Sequence, residues 1–218
     1  MAELDPESLR RLASMLLGVV GPEGFALAGA GAVREHGLTS RPTHDVDLFA
    51  FSTLEPTEFD DAVLRAENEL RAHGYVVVRT RSFPLFARLH VVDPNGNDLE
   101  VDLGVNWRSD TPVVSSIGPV LSESDAVAGK LSAVYSRREV RDFLDLDAIR
   151  RSGRYTDADL LALGKEHDDG FDVRMFAESL STVRSFLSSE AEEYGFDAAS
   201  FADIRDRIYA WAEELRNG

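Results

Sequence analysis

Apolar positions along the first twenty residues recur at helical spacing: Leu9, Leu12, Leu16 and Val19, with Val20, predict an amphipathic helix over 3–20 after Asp5-Pro6. Phe25–Ala28 is a short apolar run, the length of a strand, and Gly29-Ala30-Gly31 then opens a second helix to His36, with Gly37 placed as a C-cap glycine. Val46–Phe51 predicts another strand, and 57–73 a helix bearing Phe59, Val63, Leu64 and Leu70 on its apolar face. Tyr75–Thr80 is β-branched and strand-like. Leu85–Val92 and Asp98–Val105 flank Asp93-Pro94-Asn95-Gly96-Asn97, whose turn chemistry predicts a hairpin. Beyond Pro119 the period changes from two to 3.6. Helices are expected over 123–136, with Ser122 as N-cap, then over 139–151, 157–166, 172–188 and 198–216. The pattern therefore predicts an α+β chain: a mixed-sheet N-terminal lobe over 1–118 and an α-helical lobe over 119–218. Two lobes commonly place a ligand between them.

Composition narrows the class. At 218 residues, 44% apolar and 28% charged, the chain has globular usage and enough length for a real core. No run of 18 apolar residues exists, so no membrane span is expected. The first residues carry neither a basic n-region nor an apolar h-region, so a cytoplasmic protein without a signal peptide is expected. Zero cysteines exclude disulfides and thiolate chemistry. His36, His73, His90 and His167 show no zinc-ligand spacing. The net charge of −16 opposes non-specific nucleic-acid binding but not a metal. Only Lys130 and Lys165 are lysines among 23 basic residues, so their positions carry information.

The chemistry concentrates in two segments. In Thr43-His44-Asp45-Val46-Asp47-Leu48, Asp45 and Asp47 project from one face of a strand. Two adjacent carboxylates repel unless a cation joins them, which points to Mg²⁺ or Mn²⁺. Asp98, Glu100 and Asp102 form a second alternating acidic face, from which Asp102, with Glu100 as the alternative, offers a third ligand. The Gly29-Ala30-Gly31 turn lets backbone amides approach a phosphate at a helix start. Alone, a Gly-x-Gly is as often close packing, and an Asp-x-Asp is usually solvated edge decoration. Their order and spacing make the pairing more specific than either part.

At these residues the chain resembles the DNA polymerase β-like nucleotidyltransferase superfamily, which has a small-residue turn, a helix, and Asp-x-Asp on the next strand. Gly-Ala-Gly stands where Gly-Gly or Gly-Ser is usual. Phe25–Val33 and Arg41-Pro-Thr43-His-Asp45-Val-Asp47 resemble more closely the AbiEii/MenT-type toxin nucleotidyltransferases, as does Lys130 followed by Arg138, Arg141-Asp142 and Asp145. The likeness spans about 24–150. It implies transfer of an NMP from an NTP to a hydroxyl, expected to be a tRNA 3′ end, by a toxin with a cognate antitoxin. It also implies roles. Asp45, Asp47 and Asp102 would hold two Mg²⁺ ions. Gly29, Ala30, Gly31 and Lys130 would hold phosphates, with Arg41, Thr43, Arg138 and Asp142 nearby, and one of the two acids Asp142 and Asp145, with Asp145 favoured, would keep Lys130, the nucleotide or the second lobe in place.

Each of these has a bland counterpart. Lys130 could be a solvated helix lysine, and Asp142 and Asp145 could be surface partners of Arg138 and Arg141. His44 reads first as a strand-entry polar residue, and Phe201, Ile204, Tyr209 and Trp211 as helix core. Six arginines within 137–154 form a candidate backbone-binding stripe for RNA. Two other classes compete: an aminoglycoside-type nucleotidyltransferase, which the acidic balance suits, and a non-catalytic nucleotide-binding or antitoxin module, which retention of both Asp45 and Asp47 opposes. The sequence leaves the oligomeric state and the identity of the NTP open.

Overall fold

In the computed structural model, residues 6–217 are described, and they divide into two compact units: one of 6–35 and 42–122, the other of 36–41 and 123–217. The expected first-helix start at residue 3 lies outside the described residues. The division falls after Ser122, because the chain up to Val120 is still part of the sheet.

In the first unit, α1 (Pro6–Val20) buries Leu9, Leu12, Ala13, Leu16, Leu17 and Val20, one turn-spaced face with Val19 at its margin. Strand β1 (Ala26–Leu27) leads into α2 (Gly29–Glu35), then β2 (Asp45–Phe51) and α3 (Pro56–Ala72). Pro56 sits in the first turn of α3, and Glu55 and Glu58 close a capping box there, so the start is specified locally. Phe59, Val63, Ala66 and Leu70 of α3 are buried, and α3 packs on α1, while Leu64 is half exposed. Strands β3 (Val76–Phe83), β4 (Phe86–Val92) and β5 (Asp98–Asn106) follow, with the short hairpin β6 (Val113–Ser115) and β7 (Gly118–Val120).

The seven strands form one mixed sheet in the order β3-β4-β5-β2-β1-β7-β6. β2 runs parallel to β5 and antiparallel to β1, and β1 runs parallel to β7. Register gives the sheet two unlike faces. Val46 and Leu48 of β2 lie beside Val101 and Leu103 of β5, with Leu89 and Ala87 of β4 next in line, and all are buried. On the opposite face the same rows read Asp45–Glu100 and Asp47–Asp102–Arg88. A one-residue slip would bury those charges, so the apolar row locks the polar one in place.

The second unit contains α4 (Glu123–Ser136), α5 (Val140–Arg151), α6 (Asp157–His167), α7 (Val173–Ser181), the one-turn α8 (Ser189–Glu192) and α9 (Ala198–Asn217). The helix expected over 172–188 ends its α-helical part at Ser181 and tightens into a 3₁₀ turn over Thr182–Ser185. Phe143, Phe176, Phe201 and Trp211 are buried, with Phe176 edge-on to Trp211 at 5.4 Å. Arg207 of α9 grips the buried Asp147 of α5 through two hydrogen bonds of 2.8 and 2.7 Å.

Candidate active site

Alternation along β2 leaves Asp45 and Asp47 half-buried on one face while Val46, Leu48 and Ala50 enter the core. β2 is held by its neighbours before any ligand arrives: the Ala28 amide donates to the Asp47 carbonyl at 2.8 Å, and the Glu100 amide to the His44 carbonyl at 3.2 Å. The buried Thr43 hydroxyl donates to an Asp45 carboxylate oxygen, so this side chain orients the acid. His44 enters β2 with Nδ1 buried and unpartnered.

The two glycines of the turn answer different needs. Gly29 has φ +55°, and a Cβ built there would overlap the Asp47 carboxylate. Gly31 instead faces Leu27, whose side-chain carbons would stand 3.0–3.2 Å from a Cβ. Gly29 thus belongs to the acidic site and Gly31 to helix–strand packing. Gly29→Ala is expected to push the Asp47 carboxylate aside and to weaken Mn²⁺ binding at least about tenfold, beyond a strain cost of about 1–3 kcal/mol. Gly31→Ala is expected to cost stability without changing ion affinity. Mn²⁺ titrations beside urea unfolding of both variants separate the two effects, and equal loss of ion affinity in both would refute the division.

Asp102 lies next to Asp47 in register and is buried. Arg88, from the facing position on β4, binds it through both oxygens at 2.7 and 2.6 Å and approaches Glu100 at 3.4 Å. The hydrogen bonds to Asp102, and the negative charge of Asp102, Glu100 and Asp47, raise the Arg88 pKa against the lowering effect of burial. Sequence reasoning passed over Arg88. Its position opposite Asp102 is set by hairpin register, and a Leu-spaced Arg88 and His90 alternation was the available signal.

Among the described residues, no three histidine, cysteine or acidic side chains converge as a ready cation cage. The donor set of Asp45 and Asp47 nevertheless suits a divalent cation: both are carboxylates on one strand face, and the missing Gly29 side chain lets the Asp47 carboxylate lie against the start of α2. Beside Asp45, a recess of about 360 Å³ of empty space opens between Thr43 and Val46 of the β2 segment, Gly31 and Arg34 of α2, and Leu9 of α1.

The second unit gathers the other sequence-predicted residues. Asp145 is fully buried, and Arg41 donates to both its oxygens at 2.7 Å while the Lys130 ammonium stands 2.7 Å from one of them. Arg41 and Lys130 are themselves only 5% and 4% exposed, so neither is a solvated surface cation. The Arg41 guanidinium also lies 5.2 Å from the Tyr194 ring centre. Asp142 plays a different part. Fully buried, it closes the N-terminal box of α5 with Glu139 and accepts two bonds from Arg137 at 2.9 and 2.7 Å. Arg138 has φ +58° and donates to the Ser179 hydroxyl and the Tyr135 carbonyl.

The fold, a mixed sheet carrying a glycine turn against an Asp-x-Asp strand, is shared with solved structures. MenT4, a nucleotidyltransferase toxin from Mycobacterium tuberculosis, aligns with TM-score 0.59 and 18% identity over 94% of this chain and 83% of its own. JHP933 from Helicobacter pylori aligns with TM-score 0.53 and 14% identity over 98% and 97%. No curated protein matches the chain by sequence. The family model described as "Nucleotidyl transferase AbiEii toxin, Type IV TA system" matches residues 11–214, and the chain belongs to that family. It is a toxin nucleotidyltransferase, whose type of system implies an antitoxin partner and an NTP substrate. No helix among the described residues is long and apolar enough to cross a membrane.

Proposed function

We propose that the protein transfers an NMP from an NTP to the 3′-terminal hydroxyl of a tRNA, using a divalent cation held by Asp45 and Asp47. The observation carrying this reading is the paired carboxylates on one face of β2 with Gly29 set against Asp47. Bound there, Mg²⁺ or Mn²⁺ would supply the charge that stabilises the triphosphate and lowers the acceptor hydroxyl's pKa. The acceptor oxygen forms its bond to the α-phosphorus, the bond from that phosphorus to the bridging oxygen breaks, pyrophosphate leaves, and the hydroxyl proton passes to solvent water. Thr43 keeps the Asp45 carboxylate aimed through its hydroxyl. The amides of Gly29, Ala30 and Gly31 are the phosphate donors in this scheme. Within the second unit, the buried Asp145 holds Lys130 and Arg41 together, so their positions are fixed relative to one another.

One observation favours a second acceptor. Of the arginines in 137–154, Arg137 is committed to Asp142, Arg138 to Ser179, Arg141 to Glu139, Arg150 to Asp157 and Arg154 to Glu123. With four of its six arginines paired to acids within the chain, the stripe has less charge to offer a polyanion, and the total of −16 suits a cationic substrate such as an aminoglycoside. Incubation with Mg²⁺, each α-labelled NTP, and either total tRNA or an aminoglycoside panel decides between them. Label in tRNA that disappears with Asp47→Ala supports the first reading, and label only on the drug replaces it by the second. No transfer to either, from folded protein, refutes both. Expression of the wild type is expected to arrest growth, and Asp47→Ala to relieve the arrest.

A further inference from the structure

One carboxylate on the acidic face of the sheet is held by an arginine of that same face. Asp47 and Asp102 are register neighbours on parallel strands, and a third acid beside Asp45 and Asp47 would complete an all-oxygen site. Yet both oxygens of Asp102 are engaged by Arg88, at 2.7 and 2.6 Å, in the bidentate geometry that gives arginine–carboxylate pairs their strength. The pair is well placed to persist. Asp102 is 8% exposed, Arg88 faces it directly across the β4–β5 ladder, and Glu100 stands 3.4 Å from the same guanidinium. An ion recruiting Asp102 must first displace a planar cation that fits it better than water does.

Resting on the reading of Asp45 and Asp47 as the ion site, we propose that Arg88 is a positioning residue which withholds Asp102, so that the nucleotide-free protein binds a divalent cation through Asp45 and Asp47 alone. Arg88 performs on the third acid the charge compensation that a second ion would otherwise supply. It also eases an electrostatic problem of this face: three carboxylates and Glu100 lie on neighbouring positions, and the Arg88 guanidinium offsets part of their repulsion from its place on Asp102.

Mn²⁺ binding to nucleotide-free protein, followed by the loss of the free-ion EPR signal, tests this without recourse to activity. Asp47→Asn is expected to weaken binding at least about tenfold, while Asp102→Asn and its charge-matched control Glu100→Gln change it equally and by no more than about threefold. Arg88→Gln is expected to tighten binding by about tenfold or to add a second ion, since it frees Asp102 as a ligand. In the Arg88→Gln background, Asp102→Asn is expected to abolish that gain and Glu100→Gln to retain it. If Asp102→Asn in otherwise unaltered protein costs as much as Asp47→Asn, Asp102 is already a ligand and the proposal is wrong. It is equally wrong if Arg88→Gln leaves ion affinity and stoichiometry unchanged. Should Arg88→Gln fail to fold by circular dichroism, Arg88→Lys, which loses the bidentate fork but keeps the charge, is expected to show a smaller gain of the same sign. A protein in which Asp47→Asn has no effect on Mn²⁺ refutes the ion site itself, whatever Arg88 does.

Discussion

Asp47→Asn is expected to lower NMP transfer by at least about three orders of magnitude, because metal-borne charge stabilisation contributes several kcal/mol to such a transition state. The same change is expected to leave the fold intact or slightly firmer. Asparagine keeps the size of the side chain that sits against Gly29, so no cavity forms and the approach of α2 to β2 is preserved. It also removes one of two like charges that share a face of β2 with Asp45. Loss of activity with unchanged or raised thermal midpoint is the signature of a site that trades stability for chemistry. Label transfer from α-labelled NTP and a thermal melt on the same preparation measure both. Retained transfer would remove Asp47 from the mechanism, and a large fall in the midpoint would make it a structural acid instead. Asp98→Asn provides the contrast. That acid sits at the start of β5 with an exposed 3.0 Å contact to His90, and its loss is expected to change stability by no more than about 0.5 kcal/mol.

How far the sequence anticipates this molecule depends on the range of the interactions involved. The stripe of α1, the capping signals of α3 and the Asp93–Asn97 turn are set by residues within a few positions of one another. The Asp-x-Asp face follows from strand alternation alone. The β6–β7 hairpin is not legible in this way. Its strands have three residues each, and Val113 and Val114 are exposed, so neither length nor apolar alternation marks them. The short segment 36–41, between α2 and β2 in the chain, groups with the helical unit because Arg41 pairs with Asp145, 104 residues away. Local pattern cannot reveal such a pairing. The same distance explains why Asp142 and Asp145, three residues apart on α5, could not be told apart. Their roles come from Arg137 next door in one case and from Arg41 and Lys130 in the other. Arg88 escaped notice for a related reason, since its partner is fixed by the register of β4 on β5. The chemistry-bearing types were readable; which acid each cation holds was decided by tertiary structure.

Asp145→Asn is expected to destabilise the protein by about 3–5 kcal/mol, the cost of breaking a buried charge group by removing one partner. Two cations, Arg41 and Lys130, converge on this one carboxylate at 2.7 Å, and all three side chains lie out of solvent. Asparagine can still accept a hydrogen bond, yet its neutral side chain removes the one negative charge on which both cations converge. Acid sensitivity supplies a second readout. Burial by itself pushes the Asp145 carboxyl up, but the Lys130 charge, and then the hydrogen bond and charge of Arg41, overcome it and hold the carboxyl below its ordinary value. The unfolded chain, titrating near the usual aspartate value of about 3.9, takes up this proton at a higher pH than the folded one. The stabilisation is therefore fully present above that value and is lost as pH falls from there through the lower folded-state value. Urea midpoints measured between pH 7 and pH 3 should fall more steeply for wild type than for Asp145→Asn, so that the two curves converge in acid. Parallel curves would show that Asp145 is protonated alike in both states, and a variant as stable as wild type at pH 7 would show that Arg41 and Lys130 find other partners. Either result would return Asp145 from an anchor of the helical unit to an ordinary helix residue.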